Sequence, residues 1–374
     1  MEFLEFNGFS VSSIVATLKY PLNSRNYRLP RKQGNPIRLL MIPRFLALAV
    51  LLAIPALEGV CAEVERIKAA AVIEEVFRVG PIKSFLLQRD GELLIEAHRM
   101  GMRSDRTTNI KSVAKSIISL LVGIAIDQGH LHGVKQPIGG FFPDYFRDRP
   151  DPEKESITIQ DLLTMRAGLA STSRRNYGRW VLSDNWVEYA LGQPLVERPG
   201  GEMIYSTGSS HLLSVILTRA TGMTTREFAD RFLFGPLGIT DGGWDRDPQG
   251  YYLGGNNMAL SPSALLRIGT MVMNMGVYNQ QQIVPRAWIA ESMQIYTRSH
   301  FNPYDYGYGW WQRELNGYTV QFAWGNGGQY MLMIPALKTV VAIASGGGQS
   351  NVENRASRRR LFDFIENRLI SYLR

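Results

Sequence analysis

The stretch that decides the fold is Ser112-Val113-Ala114-Lys115-Ser116-Ile117-Ile118-Ser119-Leu120-Leu121-Val122-Gly123-Ile124-Ala125-Ile126-Asp127-Gln128, closed by Gly129. Its apolar residues fall on nearly every side of a 3.6-residue period, so the segment reads as a helix with no face left for water. Such a helix belongs in the interior of a protein. Ser112 opens it, and Lys115 lies one turn on, on the same side. Desolvation penalises a charged lysine among apolar neighbours, which favours the free amine. A neutral amine beside a hydroxyl is what activates a serine nucleophile. The amides at a helix N-terminus add donors and a positive dipole end where negative charge would develop. The same four residues also read as a capping serine followed by a lysine that snorkels outward. In a chain with 25 Ser and 9 Lys, one Ser-x-x-Lys arises by chance about as often as not. The motif alone leaves both readings open.

Working outward, residues 63–79 carry Ile67, Ala71, Ile73 and Val76 at helical spacing and end at Gly80-Pro81, a helix followed by its usual stop. Ser84–Leu87 and Leu93–Ala97 are short apolar runs joined through Arg89-Asp90-Gly91, a hairpin signal. Beyond residue 129 come helical segments separated by Gly- and Pro-rich loops: 158–165, 209–220, 225–234, 262–275 and 285–295. The tail changes to strand-like runs at 306–312, 318–324, 330–334 and 339–345, then a closing helix over 351–373. A hairpin at one end and a meander at the other predict a single antiparallel sheet built from both ends of the chain. The fold class is therefore α+β: an antiparallel sheet flanked by helices, with an inserted, mainly helical subdomain at about 136–300.

Charge narrows the function classes. The 374 residues carry a net charge of +8, with 45% hydrophobic and 20% charged residues. Residues 1–62 hold seven basic and three acidic side chains, leaving 34 basic and 30 acidic for the rest. A body so nearly balanced, without a long Lys/Arg run, is no nucleic-acid footprint; Arg358-Arg359-Arg360 reads as one turn of a solvated helix. Arg44 precedes an apolar run, residues 45–54, and a Val60-x-Ala62 pattern. This is the layout of a secretory signal peptide, and the run is shorter than the roughly 20 residues a membrane span needs. The expectation is a cleavable leader in residues 1–62 beginning at Met41, cleavage after Ala62, a periplasmic or secreted location, and a domain over 63–374. Cleavage there removes Cys61, the single cysteine; a lipid anchor on Cys61 is the rival reading, which Glu58 and Val60 fit poorly.

Other chemistries lack their motifs. There is no Gly-x-Ser-x-Gly elbow, no His-Glu-x-x-His pair, no P-loop and no dinucleotide fingerprint. His98, His130, His132, His211 and His300 are scattered. Two further segments stand out: Pro199-Gly200 leading to Tyr205-Ser206-Thr207, and Trp324-Gly325-Asn326-Gly327-Gly328-Gln329 between two predicted strands. With Ser112-x-x-Lys115 and Ile159-Gln160-Asp161-Leu162-Leu163-Thr164-Met165-x-x-Gly168-Leu169 they form an ordered series. Across about residues 65–350 that series resembles the serine β-lactamase and penicillin-binding-protein superfamily. The nearest pattern is that of class C β-lactamases with their esterase, DD-peptidase and 6-aminohexanoate-dimer-hydrolase relatives.

The resemblance implies Ser112 as acylated nucleophile, Lys115 as its activator and Tyr205 as proton relay. It implies an oxyanion hole from the backbone of Ser112 and Gly328, and substrate contacts at Thr207, Gly325, Asn326 and Gly327. No metal or cofactor is called for. The departures are Thr207, where many members have Asn, and Gly325, where lactam-active members have a cation. A substrate carboxylate is then expected to find no partner at that position, which points to neutral esters or amides. Tyr177, Trp180, Trp186, Tyr308, Trp310 and Trp311 are expected to flank the cleft, some as an apolar pocket. The expected activity is a secreted serine hydrolase acting on a small-molecule ester or amide. The alternatives are a DD-peptidase on cell-wall peptide or a class C-type β-lactamase; a non-catalytic binding module of the same fold stands behind them.

Overall fold

Asp90 and Gly91 adopt left-handed backbone (φ +50° and +87°) and turn the chain between β1 (Ile82–Arg89) and β2 (Glu92–His98). That is the geometry a two-residue hairpin requires. The computed structural model describes residues 65–240, 242–347 and 350–374. The expected leader, residues 1–62, lies outside them. Six more strands complete one antiparallel sheet: β3 (Thr297–Arg298), β4 (Asp305–Tyr306), β5 (Trp311–Leu315), β6 (Tyr318–Gly325), β7 (Gln329–Ile334) and β8 (Thr339–Ser345). Their order is β2-β1-β8-β7-β6-β5-β4-β3. The N-terminal hairpin docks on the last strand, with Leu86 opposite Ala342 and Leu87 opposite Val341. The sheet is built from both chain ends, as the pattern of apolar runs predicted.

Helices cover both faces, so successive residues of each inner strand are buried in opposite directions. Leu86, Met331, Met333, Val340 and Ala342 join one apolar core with α2 (Ala114–Asp127), α3 (Thr207–Thr221) and α4 (Pro262–Met273). Phe85, Leu87, Tyr330, Leu332, Val341 and Ile343 join the other, with α1 (residues 65–76) and α5 (Asn351–Phe364). Burial on both sides explains why β7 and β8 read as unbroken apolar runs rather than alternating ones. In α2 every residue from Ala114 to Ala125 is buried. Gly123 is obligatory there, since a Cβ would stand 2.3 Å from the Trp288 ring.

One predicted strand breaks in two. The apolar run 306–312 is interrupted between β4 and β5, where residues 307–310 bend inward onto α2. Ser116 Oγ donates to the Gly309 carbonyl at 2.6 Å. A Cβ on Gly309 would come within 3.0 Å of the Lys115 carbonyl, and one on Gly307 within 2.2 Å of the Ser292 carbonyl. The two glycines allow a contact with the buried helix that a β run would forgo. Among the described residues no helix is long and apolar enough to cross a membrane.

Candidate active site

The backbone tightens just ahead of α2. Ser112 does not open the α-helix; it sits in a 3-10 turn, Lys111–Val113, that leads into it. Lys111 is left-handed (φ +54°), a conformation that costs a non-glycine residue on the order of 1 kcal/mol or more. Two bonds hold the turn: Ile110 N–H donates to the Met258 carbonyl at 2.8 Å and Lys111 N–H to Asn109 Oδ1 at 2.9 Å. Strained backbone thus stands immediately before the candidate nucleophile.

Lys115 is 3% exposed. Its Nζ lies 3.2 Å from Ser112 Oγ, 2.7 Å from the Gly255 carbonyl and 3.4 Å from Thr207 Oγ1. Burial, with no carboxylate to offset it, brings the amine down to about 7. The residue therefore does not snorkel outward; it is buried and presented to the serine. The Gly255 contact was not foreseen. Its signal lies in Gly254-Gly255: a Cβ on Gly254 would stand 2.0 Å from the Ser210 carbonyl, and one on Gly255 2.8 Å from Lys115 Nζ. The loop bearing these glycines is anchored by His211 Nε2 and Asp247 Oδ2, 2.9 Å apart, both side chains fully buried. Asp247 Oδ1 also accepts from Tyr251 N–H at 2.8 Å. Of the five scattered histidines, His211 is thus bound into the support of the site.

Tyr205 ends the extended segment before α3. Its hydroxyl shares a hydrogen bond with Ser112, and burial raises it to about 12 despite that bond and the nearby Arg174 charge. The ring stacks on Trp311 at 5.8 Å, and Lys115 Nζ lies 5.1 Å from its centroid. The three residues proposed from sequence therefore converge. α3 begins without a cap of its own, and Thr172 and Ser173 supply one. Thr207 N–H donates to Ser173 Oγ at 2.8 Å and Gly208 N–H to Thr172 Oγ1 at 2.8 Å. These bonds satisfy two orphan amides of the first turn and fix the Thr207 hydroxyl near Lys115.

The third segment departs from expectation. Asn326, Gly327 and Gly328 line the cleft with Thr207, but Gly325 does not. Gly325 faces the nucleophile's turn: a Cβ there would be 2.3 Å from the Ile110 carbonyl and 3.0 Å from Lys111 Cβ. That position holds no substrate-facing side chain because the backbone of the Ser112 turn occupies the space. Gly328 is left-handed (φ +94°), and its N–H donates to the Gly325 carbonyl at 3.2 Å, closing the turn.

The aromatic expectation is also corrected. Trp180, Tyr308 and Trp310 are fully buried and Trp311 nearly so; of the six named rings only Tyr177 lines the cleft, joined by Phe301, Trp324 and Tyr330. Cations reach the cleft from positions other than Gly325. Lys111, Arg174, Arg175, Arg355 and Arg358 all line the cleft. Arg358 belongs to the turn read as solvated, and its neighbour Arg360 donates to the Val79 carbonyl at 2.9 Å. Among the described residues no group of three His, Cys, Asp or Glu side chains converges as a metal site.

The sequence profile of the family described as Beta-lactamase matches residues 84–364, a span that holds the sheet from the third residue of β1 onward and all the site residues above. The chain belongs to the beta-lactamase family. Solved structures of low sequence identity share its fold. It superposes on the octameric penicillin-binding protein homologue from Pyrococcus abyssi with a TM-score of 0.63, at 18% identity over 80% of this chain and 76% of that one. The match to EstCE1, a hydrolase with promiscuous acyltransferase activity, has a TM-score of 0.64 at 19% identity over 81% and 100%. In sequence it is 25% identical to the 6-aminohexanoate-dimer hydrolase of Paenarthrobacter ureafaciens, over 55% of each protein. It is 27% identical to esterase EstB of Burkholderia gladioli, over 46% of this chain and 50% of the esterase. The chain thus matches about half the length of these two curated relatives.

Proposed function

We propose that this beta-lactamase-family protein is a serine hydrolase that cleaves carboxylic esters or amides through an acyl-enzyme on Ser112. The observation that carries the reading is the Lys115 amine, buried 3.2 Å from Ser112 Oγ and brought down to about 7. Tyr205, held near 12, stays protonated at neutral pH. Two groups on one serine with affinities pushed apart divide the work of base and acid. In acylation Lys115 takes the Ser112 proton while Oγ bonds to the acyl carbon. The bond to the leaving group breaks, Tyr205 gives its proton to the departing oxygen or nitrogen, and Lys115 restores it. Water then repeats the sequence in reverse, releasing the acid. The oxyanion would be met by the backbone amides of Ser112 and Gly328, the latter released from or shared with its turn bond. Export after Ala62 is part of the same proposal. The relatives named as an amide hydrolase and an esterase support the substrate class.

The test is turnover of p-nitrophenyl butyrate with Ser112→Ala as control. Hydrolysis that falls by ~10⁴-fold in the variant, the scale on which such a unit fails, supports the reading. Equal rates in both proteins refute it. A peptide ending in D-Ala-D-Ala, run alongside, separates the ester or amide reading from the peptidase alternative.

A further inference from the structure

A lysine amine rides on a flexible four-carbon stem, so the place of the Lys115 amine is set by what holds its end. Its shortest contact is the Gly255 carbonyl at 2.7 Å, against 3.2 Å to Ser112 Oγ. Gly255 stands 140 residues further along the chain. The separation of nucleophile and base therefore depends on how the loop bearing Gly255 is registered against the turn bearing Ser112. A short ladder starts that registration. Thr108 pairs with Leu260 and Asn109 with Ala259, and Ile110 N–H meets the Met258 carbonyl. The ladder ends there, before the chain reaches Gly255.

Two asparagines carry the connection further. Asn109 Oδ1 accepts from Lys111 N–H at 2.9 Å, and Asn109 Nδ2 donates to Asn257 Oδ1 at 3.1 Å. Asn257 Nδ2 in turn donates to Asp245 Oδ2 at 2.9 Å, and Asp245 N–H returns a bond to the Asn257 carbonyl at 3.1 Å. The direction of this series is fixed at both ends. A backbone N–H can only donate and a carboxylate can only accept, so each amide has one orientation that makes both its bonds. Asn257 is left-handed (φ +51°), a conformation asparagine tolerates better than most residues. The bend at Asn257 leads from the ladder to Gly255, and the Asn109 amide ties that bend to the nucleophile's turn. None of the three side chains is among the described residues that line the cleft, so they act through other groups rather than on a substrate.

We propose that Asn109 and Asn257 are positioning residues, whose amides lock the Ser112 turn to the Gly255 loop and so fix the nucleophile and its base at one separation. This rests on the hydrolase reading above and deepens it.

The experiment reads kcat/KM for p-nitrophenyl butyrate together with the titration of Lys115, followed by NMR of isotope-labelled lysine. The Lys115 signal is the one lost in Lys115→Met. Asn109→Asp keeps the acceptor for Lys111 N–H but sets a carboxylate against Asn257 Oδ1, and turning the Asn257 amide over only moves the conflict to Asp245. It should lower kcat/KM by about tenfold or more, since a 1 Å misplacement costs about 10²-fold. Adding Asp245→Asn lets the reversed series close with the net charge unchanged, and should return most of the rate. Asn257→Gly removes both amide bonds while suiting the left-handed backbone. The Gly255 carbonyl should then draw off and leave the charged amine without its acceptor. Lys115 should titrate roughly one pH unit below its place near 7 in the unmutated protein. Tyr205, the titratable group whose ring lies 5.1 Å from Nζ, is unchanged in this variant. A purely structural amide would lower Tm without moving that titration. Asn257→Gly with the rate and titration of the unmutated protein overturns the proposal, as does a folded double variant no faster than Asn109→Asp. A displaced titration in Asn257→Gly, in a protein that hydrolyses no ester, would leave the positioning standing and remove the hydrolase. Ester turnover by the unmutated protein, with rate and titration equal in every variant, would do the opposite.

Discussion

Gly325→Ala tests how the fold supports the nucleophile, with one methyl group as the perturbation. The new Cβ would stand 2.3 Å from the Ile110 carbonyl oxygen, with Gln329 Cβ at 2.9 Å and Lys111 Cβ at 3.0 Å. Ordinary contact begins near 3.4 Å, so the end of β6 or the Ile110 carbonyl must move by about 1 Å. Ile110 cannot move alone: its N–H is bonded to Met258, and its carbonyl accepts from Val113 N–H at 3.3 Å. The displacement therefore passes into the Lys111–Val113 turn and hence into Ser112 Oγ. Overpacking of this kind costs about 1–3 kcal/mol of stability. A 1 Å shift of a reacting group costs about 10²-fold in rate. The assay is kcat/KM for p-nitrophenyl butyrate per labelled site, together with Tm. Gly269→Ala is the control, because its Cβ would meet Val340 Cγ1 at 2.5 Å, an intrusion of α4 on β8 away from the cleft. It should lower Tm while leaving the rate per folded site unchanged. A Gly325→Ala enzyme with the rate and Tm of the unmutated protein would refute the reasoning. The same geometry predicts that Gly325→Lys cannot install a working cation.

Three further outcomes follow from the site. With Lys115 near 7, kcat/KM should rise with pH and level off above about 7, and a flat profile from pH 5 to 9 would exclude the amine as base. Lys115→Met should be inactive yet more stable by on the order of a few kcal/mol at neutral pH, since each tenfold loss of proton affinity on folding costs about 1.36 kcal/mol. The folded chain holds the Lys115 proton less tightly than the unfolded chain, so this advantage should be full below about 7 and vanish as pH rises through 10.5; differential scanning at several pH values reads it. Asp247→Ala leaves His211 Nε2 and the Tyr251 N–H without their acceptor, a cost of about 1–3 kcal/mol for each buried group. It should lower kcat/KM as well as Tm by loosening the loop that presents the Gly255 carbonyl; full activity in that variant would break the link. N-terminal sequencing of the exported protein should begin at Glu63, and a start that retains Cys61 would contradict cleavage after Ala62.

The legible part of the fold was the part carried by period and punctuation. The all-round apolar 112–128 segment, the Asp90-Gly91 hairpin and the runs at 330–334 and 339–345 each have one physically sensible home, and the structure puts them there. The illegible parts depend on contacts between distant segments. Nothing local distinguishes Trp310, fully buried, from a cleft ring such as Trp324. Residues 307–310 leave the strand because two glycines let them approach α2 and the Ser292 carbonyl, a demand visible only once those partners are placed. The site divides the same way. Ser112 and Lys115 could be named because their chemistry depends on side-chain type, Tyr205 because the family resemblance implied it, and the fold brings the three together. Gly255 contributes a carbonyl, Thr172 and Ser173 cap a helix 34 and more residues away, and the arginines of α5 meet Arg174 only across the cleft. Cations that reach the cleft from elements other than the third segment escaped the sequence for the same reason.

The central claim is that Ser112 carries the acyl group, and peptide mapping by mass spectrometry after reaction with a fluorophosphonate tests it most directly. A single stoichiometric adduct is expected on Ser112, absent in Ser112→Ala, strongly slowed in Lys115→Ala, and formed in step with loss of ester hydrolysis. An adduct on another serine, or hydrolysis that persists with Ser112 unlabelled, would contradict it.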